Sequence, residues 1–373
     1  MEYIDFLDNY LGIPFFYIKL LAAFLLSLGL SFYTIPVILK ISKRKNLMDE
    51  PGIRSSHIHK IPNLGGIALF YALAICTPMF SYELFDRYRF LFPALVILLY
   101  IGVMDDIVVM RAYKKLFAQV LVAIIMVIGS DVRIRSLFGL FGIYELNYIL
   151  SVVFSVVTFI IIVNAFNLID GIDGLSGSYA IICNLIFGVS YLRLGPYNYP
   201  MVILCFIIIG ALLGFLYYNL SKRRSKKIFM GDTGSMIIGF LLAFTAIYFI
   251  DLFIETDRKD MTMPLYHLQT APIIAFAILI LPMVDTLNVI TIRLLNKKSP
   301  MEADRNHIHH KVLDLGLTHK RATFYIIIYY LAIVGVTYLL RHLNLNLLFA
   351  IVLAMGFLGV YLTFLLNRIK QKK

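Results

Sequence analysis

Hydrophobic residues do not alternate along this chain or scatter in short runs. They come in blocks, over 14–39, 64–80, 90–104, 116–128, 148–163, 175–192, 200–218, 235–254, 271–295, 322–340 and 345–366, with polar stretches between them. A hydrocarbon core about 30 Å thick selects apolar segments of about 20 residues, so the pattern predicts membrane-crossing helices. The third and fourth blocks are shorter than a comfortable span. Were they a re-entrant pair, both would drop out together and the sidedness of every later loop would be unchanged. The expected fold is therefore an all-α integral membrane protein, a polytopic bundle of about 10–11 transmembrane helices. No internal repeat, low-complexity run or soluble insert interrupts residues 1–373, which read as one transmembrane domain.

Composition agrees: 60% of the 373 residues are hydrophobic and 15% charged, too apolar a balance for ordinary soluble domains. A net charge of +12 would suggest nucleic acid in a soluble protein, but here the basic residues cluster in a few loops between apolar blocks. Sorting those loops by side puts 25 of the 34 Lys and Arg on one face, which the positive-inside rule makes cytoplasmic. The N-terminus is then outside and the C-terminus inside. Glu2, Asp5 and Asp8 replace the basic start of a cleavable signal, and the first block is too long for one, so it reads as a retained helix. Cys76, Cys183 and Cys205 each lie within an apolar block and match neither a zinc set nor a disulfide framework.

The unusual polar residues fall in loops of that same cytoplasmic face, so one site there can gather them all. Asp105-Asp106 ends an apolar run, a costly place for charge unless a metal, a substrate or Lys115 compensates it. Successive helical residues point about 100° apart, so one Asp can face a metal-diphosphate and its neighbour a second substrate. In Asn164-Ala-Phe-Asn167-Leu-Ile-Asp170-Gly-Ile-Asp173-Gly174, polar side chains recur at steps of three and form an oxygen-rich ridge. Its glycines would let the chain break or approach a ligand. Gly231-Asp232-Thr233-Gly234-Ser235 places one hard oxygen ligand beside exposed N–H groups at a helix start, suited to Mg²⁺ and phosphate; the plain alternative is a helix cap.

In the first inner loop, Arg54, His57 and Lys60 are candidate phosphate ligands, with Gly65-Gly66 giving close backbone approach at a helix N-terminus. A basic loop obeying topology alone is the alternative. Ser221 to Lys227 carries five positive charges that suit anionic lipid heads as well as substrate. Asp285 lies about ten residues from the cytoplasmic end marked by Arg293 to Lys298, too deep for free solvation, and is expected to face the bundle interior, bonding a helix neighbour or lining the cavity. In Asp304-Arg-Asn-His307-Ile-His309-His310, His307 and His310 would share a helical face while His309 turns away, which favours phosphate and uracil contacts over zinc.

Together, Asp105-Asp106, the Asn-x-x-Asn-x-x-Asp-Gly-x-Asp-Gly run from Asn164, Phe-Met-Gly-Asp-Thr-Gly-Ser from Phe229, and Asp-x-x-His-x-His-His from Asp304 resemble the polyprenyl-phosphate N-acetylhexosamine-1-phosphate transferases. These form glycosyltransferase family 4, and the likeness spans nearly the whole chain. The His-x-His-His form looks like the branch that transfers N-acetylglucosamine-1-phosphate, since the peptidoglycan enzyme has three consecutive histidines. The resemblance implies Mg²⁺-dependent transfer (Mn²⁺ as a substitute) of a sugar-1-phosphate from a UDP-N-acetylhexosamine to undecaprenyl phosphate in the bacterial inner membrane. UMP leaves, and cell-surface polysaccharide synthesis, such as that of lipopolysaccharide, begins.

By the same resemblance Asp232, with Asp105, is the metal ligand, and Asp105 and Asp106 handle the acceptor phosphate and the metal-diphosphate. Asn164, Asn167, Asp170 and Asp173 line the nucleotide-sugar site, and Arg54, His57, Lys115, Asp304, His307, His309 and His310 bind substrate. Asn219 is the counterpart of a family Asn but lies thirteen residues before Asp232, with Ser221 to Lys227 reading as an insertion. Arg54-Ser55-Ser56-His57 departs from the Arg-Lys-x-His of some relatives, so the donor stays open to a modified N-acetylhexosamine or UDP-MurNAc-pentapeptide. A homodimer is compatible with this reading. A transporter would instead place charges near the midplane, where only Asp285 falls, and a zinc hydrolase would need a His-Glu-x-x-His that the chain lacks.

Overall fold

A computed structural model describes residues 15–48, 61–254, 268–297 and 307–371. All eleven apolar blocks are helical. In chain order the helices are α1 (Phe15–Arg44), α2 (Gly65–Phe80), the short α3 (Glu83–Arg87), α4 (Leu91–Ile107) and α5 (Ala112–Ile124), which continues as a π turn over Ile125–Gly129. A hairpin of β1 (Ser136–Leu140) and β2 (Ile143–Glu145) follows, then α6 (Tyr148–Ile169), α7 (Leu175–Arg193), α8 (Tyr199–Asn219) and α9 (Gly231–Asp251). The remainder is α10 (Ala271–Ile278), α11 (Ile280–Leu295), the short α12 (Ile308–Asp314), α13 (His319–Leu339) and α14 (Leu345–Gln371).

By length and composition, eight of the described helices can each cross a membrane, or nine spans if α10 and α11 count together. The two blocks left below that length are α2, with 16 residues, and α4, with 17. Of the two ways open to short blocks, extension into the loops or a re-entrant pair, the fourth block takes the first: α5 and its π turn together are long enough to span.

The bundle is organised around α9. Every residue from Thr233 to Ile250 is buried, the mark of a helix apolar all round and enclosed by others. Helices α2, α4, α6, α7 and α10 pack on it. Without water to drive helices together, close packing at small residues does the work in a membrane. A side chain on Gly66 of α2 would run into the Gly234 backbone, and one on Gly102 of α4 into Thr233. These glycines bring three helix ends to one point. On the far side of the bundle Gly210 and Gly214 of α8 play the same part against the carbonyls of Phe24 and Leu28 in α1.

One span is broken. Helices α10 and α11 meet at Leu279 at an angle of 74°. Pro282 has no N–H to offer the Ile278 carbonyl one turn back, and an unpaired carbonyl is expensive inside a bundle. Tyr179 and Tyr330 supply the missing donors, their hydroxyls bonding to Ile278 O at 2.8 and 3.0 Å.

The hairpin turns at Phe141 and Gly142, both at positive φ, as a tight two-residue connection requires. Beside it Arg133 and Arg135 pair with Asp131, each at 2.7 Å, and Arg135 also binds Asp251, forming a half-buried ion network.

Gly66→Leu should force α2 away from α9, at a cost of about 2 kcal/mol or more. Thermal unfolding in detergent would read this as a lowered midpoint, whereas a wild-type midpoint would show that the Gly66 and Gly234 backbones are not in tight contact.

Candidate active site

Two helix ends, of α4 and α6, and two helix starts, of α5 and α9, converge on Asp232. This residue opens α9, and Gly231 before it has φ +71° and no room for a side chain, since Asn63 O and the Asp106 carboxylate occupy the space. Lys115 of α5 reaches both Asp105 Oδ2, at 2.9 Å, and Asp232 Oδ1, at 2.5 Å. Asn167 Nδ2, at the end of α6, donates to Asp232 Oδ1 at 2.5 Å and to Ser235 Oγ at 2.6 Å. Asp105 Oδ1 accepts the backbone N–H of Met110 at 2.7 Å. One ammonium therefore stands between two carboxylates.

A divalent cation suits the same place. Mg²⁺ takes hard oxygen ligands and is usually held by one or two carboxylates, the rest of its shell coming from phosphate and water. Asp105 and Asp232 offer that set, and the ammonium already occupies the position of a positive charge between them. Among the described residues no three His, Cys, Asp or Glu side chains are placed to enclose a metal, so a zinc cage has no support.

Several candidate ligands have partners within the protein. Asp106 is turned onto the start of α9: its oxygens accept Asp232 N at 2.8 Å, Thr233 N at 3.0 Å and Thr233 Oγ1 at 2.6 Å. A carboxylate from a neighbouring helix thus satisfies N–H groups that α9 cannot satisfy itself, and favours its dipole. Asp232 is thereby free to face the site rather than cap its own helix. Asn164 lies one turn before Asn167 and trades hydrogen bonds with Gln119, at 2.6 and 3.3 Å, which locks α5 to α6.

Asn219 accepts Gly174 N at 2.7 Å and donates to Ile228 O at 3.0 Å, tying the Asp-Gly loop to the segment before α9. Gly65 N and Gly66 N, read as phosphate donors, are spent on Phe229 O and Met230 O at 3.0 and 2.8 Å. Arg54, His57, Lys60 and Asp304 lie outside the described residues.

A second cluster adjoins the first. Asp170 accepts the Ser176 hydroxyl at 2.5 Å, and burial, reinforced by the charges of Asp232, Asp106 and Asp173, pushes its carboxyl up to about 7. Asp173 is the opposite case: burial works upward but is outweighed by His319 and Lys227, which hold it below the usual range. Lys227 Nζ lies 2.5 Å and His319 Nδ1 3.3 Å from Asp173 Oδ2. Neither partner stood out in the sequence, Lys227 because it ends a basic run and His319 because it is a solitary histidine at a helix start.

The histidine segment docks on this cluster. Asp285 accepts both His307 Nδ1, at 2.9 Å, and Ile308 N, at 2.8 Å, so it caps α12. Asp285 is buried, as expected of a residue facing the bundle interior, and α11 carries it to the His segment. His307 precedes the helix and is held by Asp285, so the expected pairing of His307 with His310 on one face is corrected too. His309 is the residue that meets the Asp-Gly loop: a side chain on Gly171 would collide with its imidazole. Gly171 makes room for a histidine of the same chain rather than for a ligand. Burial, then the neighbouring imidazoles, hold the His309 pKa well below its usual value, and among the described residues its Nδ1 has no partner.

Comparison with known proteins gives this arrangement a lineage. Residues 88–250, which hold all the carboxylates of both clusters, match the family model for glycosyl transferase family 4. The chain is 31% identical over 290 residues to the undecaprenyl-phosphate alpha-N-acetylglucosaminyl 1-phosphate transferase of Salmonella typhi, covering 76% of this chain and 73% of that protein.

The chain belongs to glycosyl transferase family 4. It is also 29% identical over 284 residues to the protein of the same name in Escherichia coli K12, with 76% and 73% covered. A probable undecaprenyl-phosphate N-acetylglucosaminyl 1-phosphate transferase of Bacillus subtilis is 27% identical over 312 residues, covering 83% and 81%. The protein is thus a multi-pass bacterial membrane enzyme of the sugar-phosphate transferase class. In this family member the His segment lies beyond the matched region, and α11 and Asp285 are what bring it back to the Asp-Gly loop.

The Asp170 shift carries a sign. A carboxyl whose pKa is raised to about 7 in the folded protein, from 3.8, favours folding fully below pH 3.8 and loses that contribution as pH rises through 7. Thermal unfolding without divalent cations should therefore decline over this range in the wild type, and Asp170→Asn should flatten the decline. An identical slope in the variant would remove Asp170 as its source.

Proposed function

We propose that this enzyme transfers an N-acetylhexosamine-1-phosphate, GlcNAc-1-phosphate being the first choice, from a UDP-sugar to undecaprenyl phosphate. The products are undecaprenyl-diphospho-sugar and UMP. The observation that carries the reading is the single cation position between Asp105 and Asp232 at a junction of helix ends. Two anions must meet in this reaction, a lipid phosphate and a nucleotide diphosphate, and their repulsion at low dielectric has to be neutralised. Mg²⁺ held by Asp105 and Asp232 would supply that neutralisation and polarise a phosphoryl oxygen. Printed names of the relatives, all undecaprenyl-phosphate transferases, support the acceptor and the GlcNAc branch.

The chain's own groups divide the remaining work. Lys115 can swing from the carboxylates to an incoming phosphate, and Asn167 holds Asp232 in one orientation. His309, beside the Asp-Gly loop with a ring nitrogen unpartnered among the described residues, suits a hydrogen bond to phosphate or uracil. Both oxygens of Asp105 are engaged, one by Met110 N and the other by Lys115, an arrangement that favours charge placement over attack on phosphorus. We therefore favour direct attack of the lipid phosphate on the sugar-linked phosphorus, since phosphoryl transfer needs positioning and charge stabilisation more than covalent help. The polyprenyl tail stays in hydrocarbon and pre-orients the acceptor. The clusters face the cytoplasm in this reading, following the charge bias of the loops.

Purified protein given undecaprenyl phosphate, Mg²⁺ and a panel of UDP-sugars should release UMP fastest with UDP-GlcNAc. No release with any donor would reject the proposal. Chelation should stop turnover and Mg²⁺ or Mn²⁺ restore it; turnover that survives exhaustive chelation would remove the metal. Asp232→Ala and Asp105→Asn should each lower kcat by about a thousandfold or more while the protein still inserts and folds. Near-normal rates in either would take that residue out of its role.

A further inference from the structure

Two basic segments far apart in the chain meet at one end of the α1 and α8 pair. Helix α1 closes on Lys40, Lys43 and Arg44, with Lys45 next, and the turn after α8 carries Lys222, Arg223 and Arg224. Lys43 Nζ donates to the Ser225 carbonyl at 2.6 Å and joins the two segments. All of these basic side chains are exposed, and among the described residues none of them forms an ion pair. Residues 15–48 and 199–231 contain no Asp or Glu, so neither the helices nor the turn carry a counter-charge of their own. Like charges held together in this way repel, and such a surface attracts anions. Lys227, further along the same turn, is the exception, since it faces Asp173. The patch begins where the acid cluster ends.

Its height is set by aromatic side chains. Phe32 of α1 lies between Tyr33, with ring centres 5.4 Å apart, and Tyr217 of α8, at 5.0 Å. Tyr33 and Tyr217 are 76% and 57% exposed on helices long and apolar enough to span, and exposed tyrosines on such helices mark the boundary between membrane and water. Lys40 follows Tyr33 by two turns on the same side of α1, about 10 Å nearer the helix end. Basic side chains that far past an aromatic belt stand among lipid headgroups. Helix α1 packs on α2 and α8 at the rim of the bundle, whereas Asp232 opens the enclosed α9.

We infer that the end of α1 and the turn at 221–226 form one docking surface for anionic phospholipid headgroups, in the leaflet on the active-site side. Lipid phosphodiesters supply the counter-charge that these segments lack, and basic clusters beside a spanning helix are drawn to anionic leaflets. The depth of the patch selects lipid over a soluble acidic protein. Its place at the rim selects lipid over the nucleotide sugar, since of this turn Lys227 is the residue that reaches the acids. Because the turn runs on into Gly231 and Asp232, a bound headgroup also holds the segment that enters the active site.

Native mass spectrometry of the delipidated protein in a neutral detergent, titrated with phosphatidylglycerol, reads this surface. Lys222→Gln, Arg223→Gln and Arg224→Gln combined should raise Kd for the first bound phosphatidylglycerol about fivefold or more, with phosphatidylcholine binding unchanged. Lys320→Gln, Arg321→Gln and Arg368→Gln combined remove as many exposed charges elsewhere and should leave that Kd as it was. An unchanged Kd in the first variant overturns the inference, as does an equal rise in the second, because charge count rather than place would then govern binding. On the wild type, raising ammonium acetate from about 0.1 to about 1 M shortens the screening length from about 10 to about 3 Å and should release the lipid. Phosphatidylglycerol that stays bound through that change would refute an electrostatic site. Displacement of the lipid by UDP-GlcNAc would assign the patch to the nucleotide sugar and refute the inference too.

Discussion

Gathering carboxylates at a membrane edge is the constraint that shapes this protein. Asp105 and Asp232 lie against one another, with Asp106 and Asp170 close enough for their charges to be felt. Two like charges about 4 Å apart repel by about 4 kcal/mol even at an effective dielectric of about 20. The fold answers with distinct compensations. Lys115 neutralises the central pair, the N-terminus of α9 absorbs Asp106, and Asp170 avoids the problem by keeping its proton more readily. Asp173 takes its own cations, Lys227 and His319. The central pair shares one lysine that an arriving cation can displace, which is why the proposed chemistry is placed there.

The same constraint explains where the backbone is tight. A carboxylate from α4 can cap α9 only if the two helices nearly touch, and Gly102 against Thr233 permits that approach. Gly66 against Gly234 does the same for α2, whose first N–H groups then bond the segment leading into α9. Glycines that look like ligand-binding devices in the sequence are in this molecule devices for bringing helices together, and the site is a result of that closeness. The broken span works at longer range. Pro282 and the two tyrosines stabilise a bend in the bundle, and the bend carries Asp285 to His307 so that His309 meets Gly171.

Much of this was legible in the chain. Every apolar block became a helix, because period and length suffice when the surroundings are hydrocarbon. The acid pairs were recognisable as a site because charge at the end of an apolar run demands a partner. What could not be read were the partners. Asp105 and Asp106 are neighbours of the same type, and only the position of α9 decides that one faces Lys115 and the other a helix terminus. Asn164 and Asn167 share a spacing but lie a turn apart, and Gln119 claims the first. Asp285 was legible as an interior charge, but its partner, the start of α12, was not, because the break at Leu279 has no sequence signal of its own. His319 and Lys227 carried no local signal, their role coming wholly from the approach of α13 and of the segment before α9 to the Asp-Gly loop.

The claim beneath all of this is that a positive charge must stand between Asp105 and Asp232. Thermal unfolding of Lys115→Met with and without Mg²⁺ tests it most directly. The account predicts a lower midpoint than wild type in the absence of the ion, recovered by Mg²⁺ and also by adding Asp105→Asn. A Lys115→Met protein that unfolds at the wild-type temperature and ignores Mg²⁺ would contradict it.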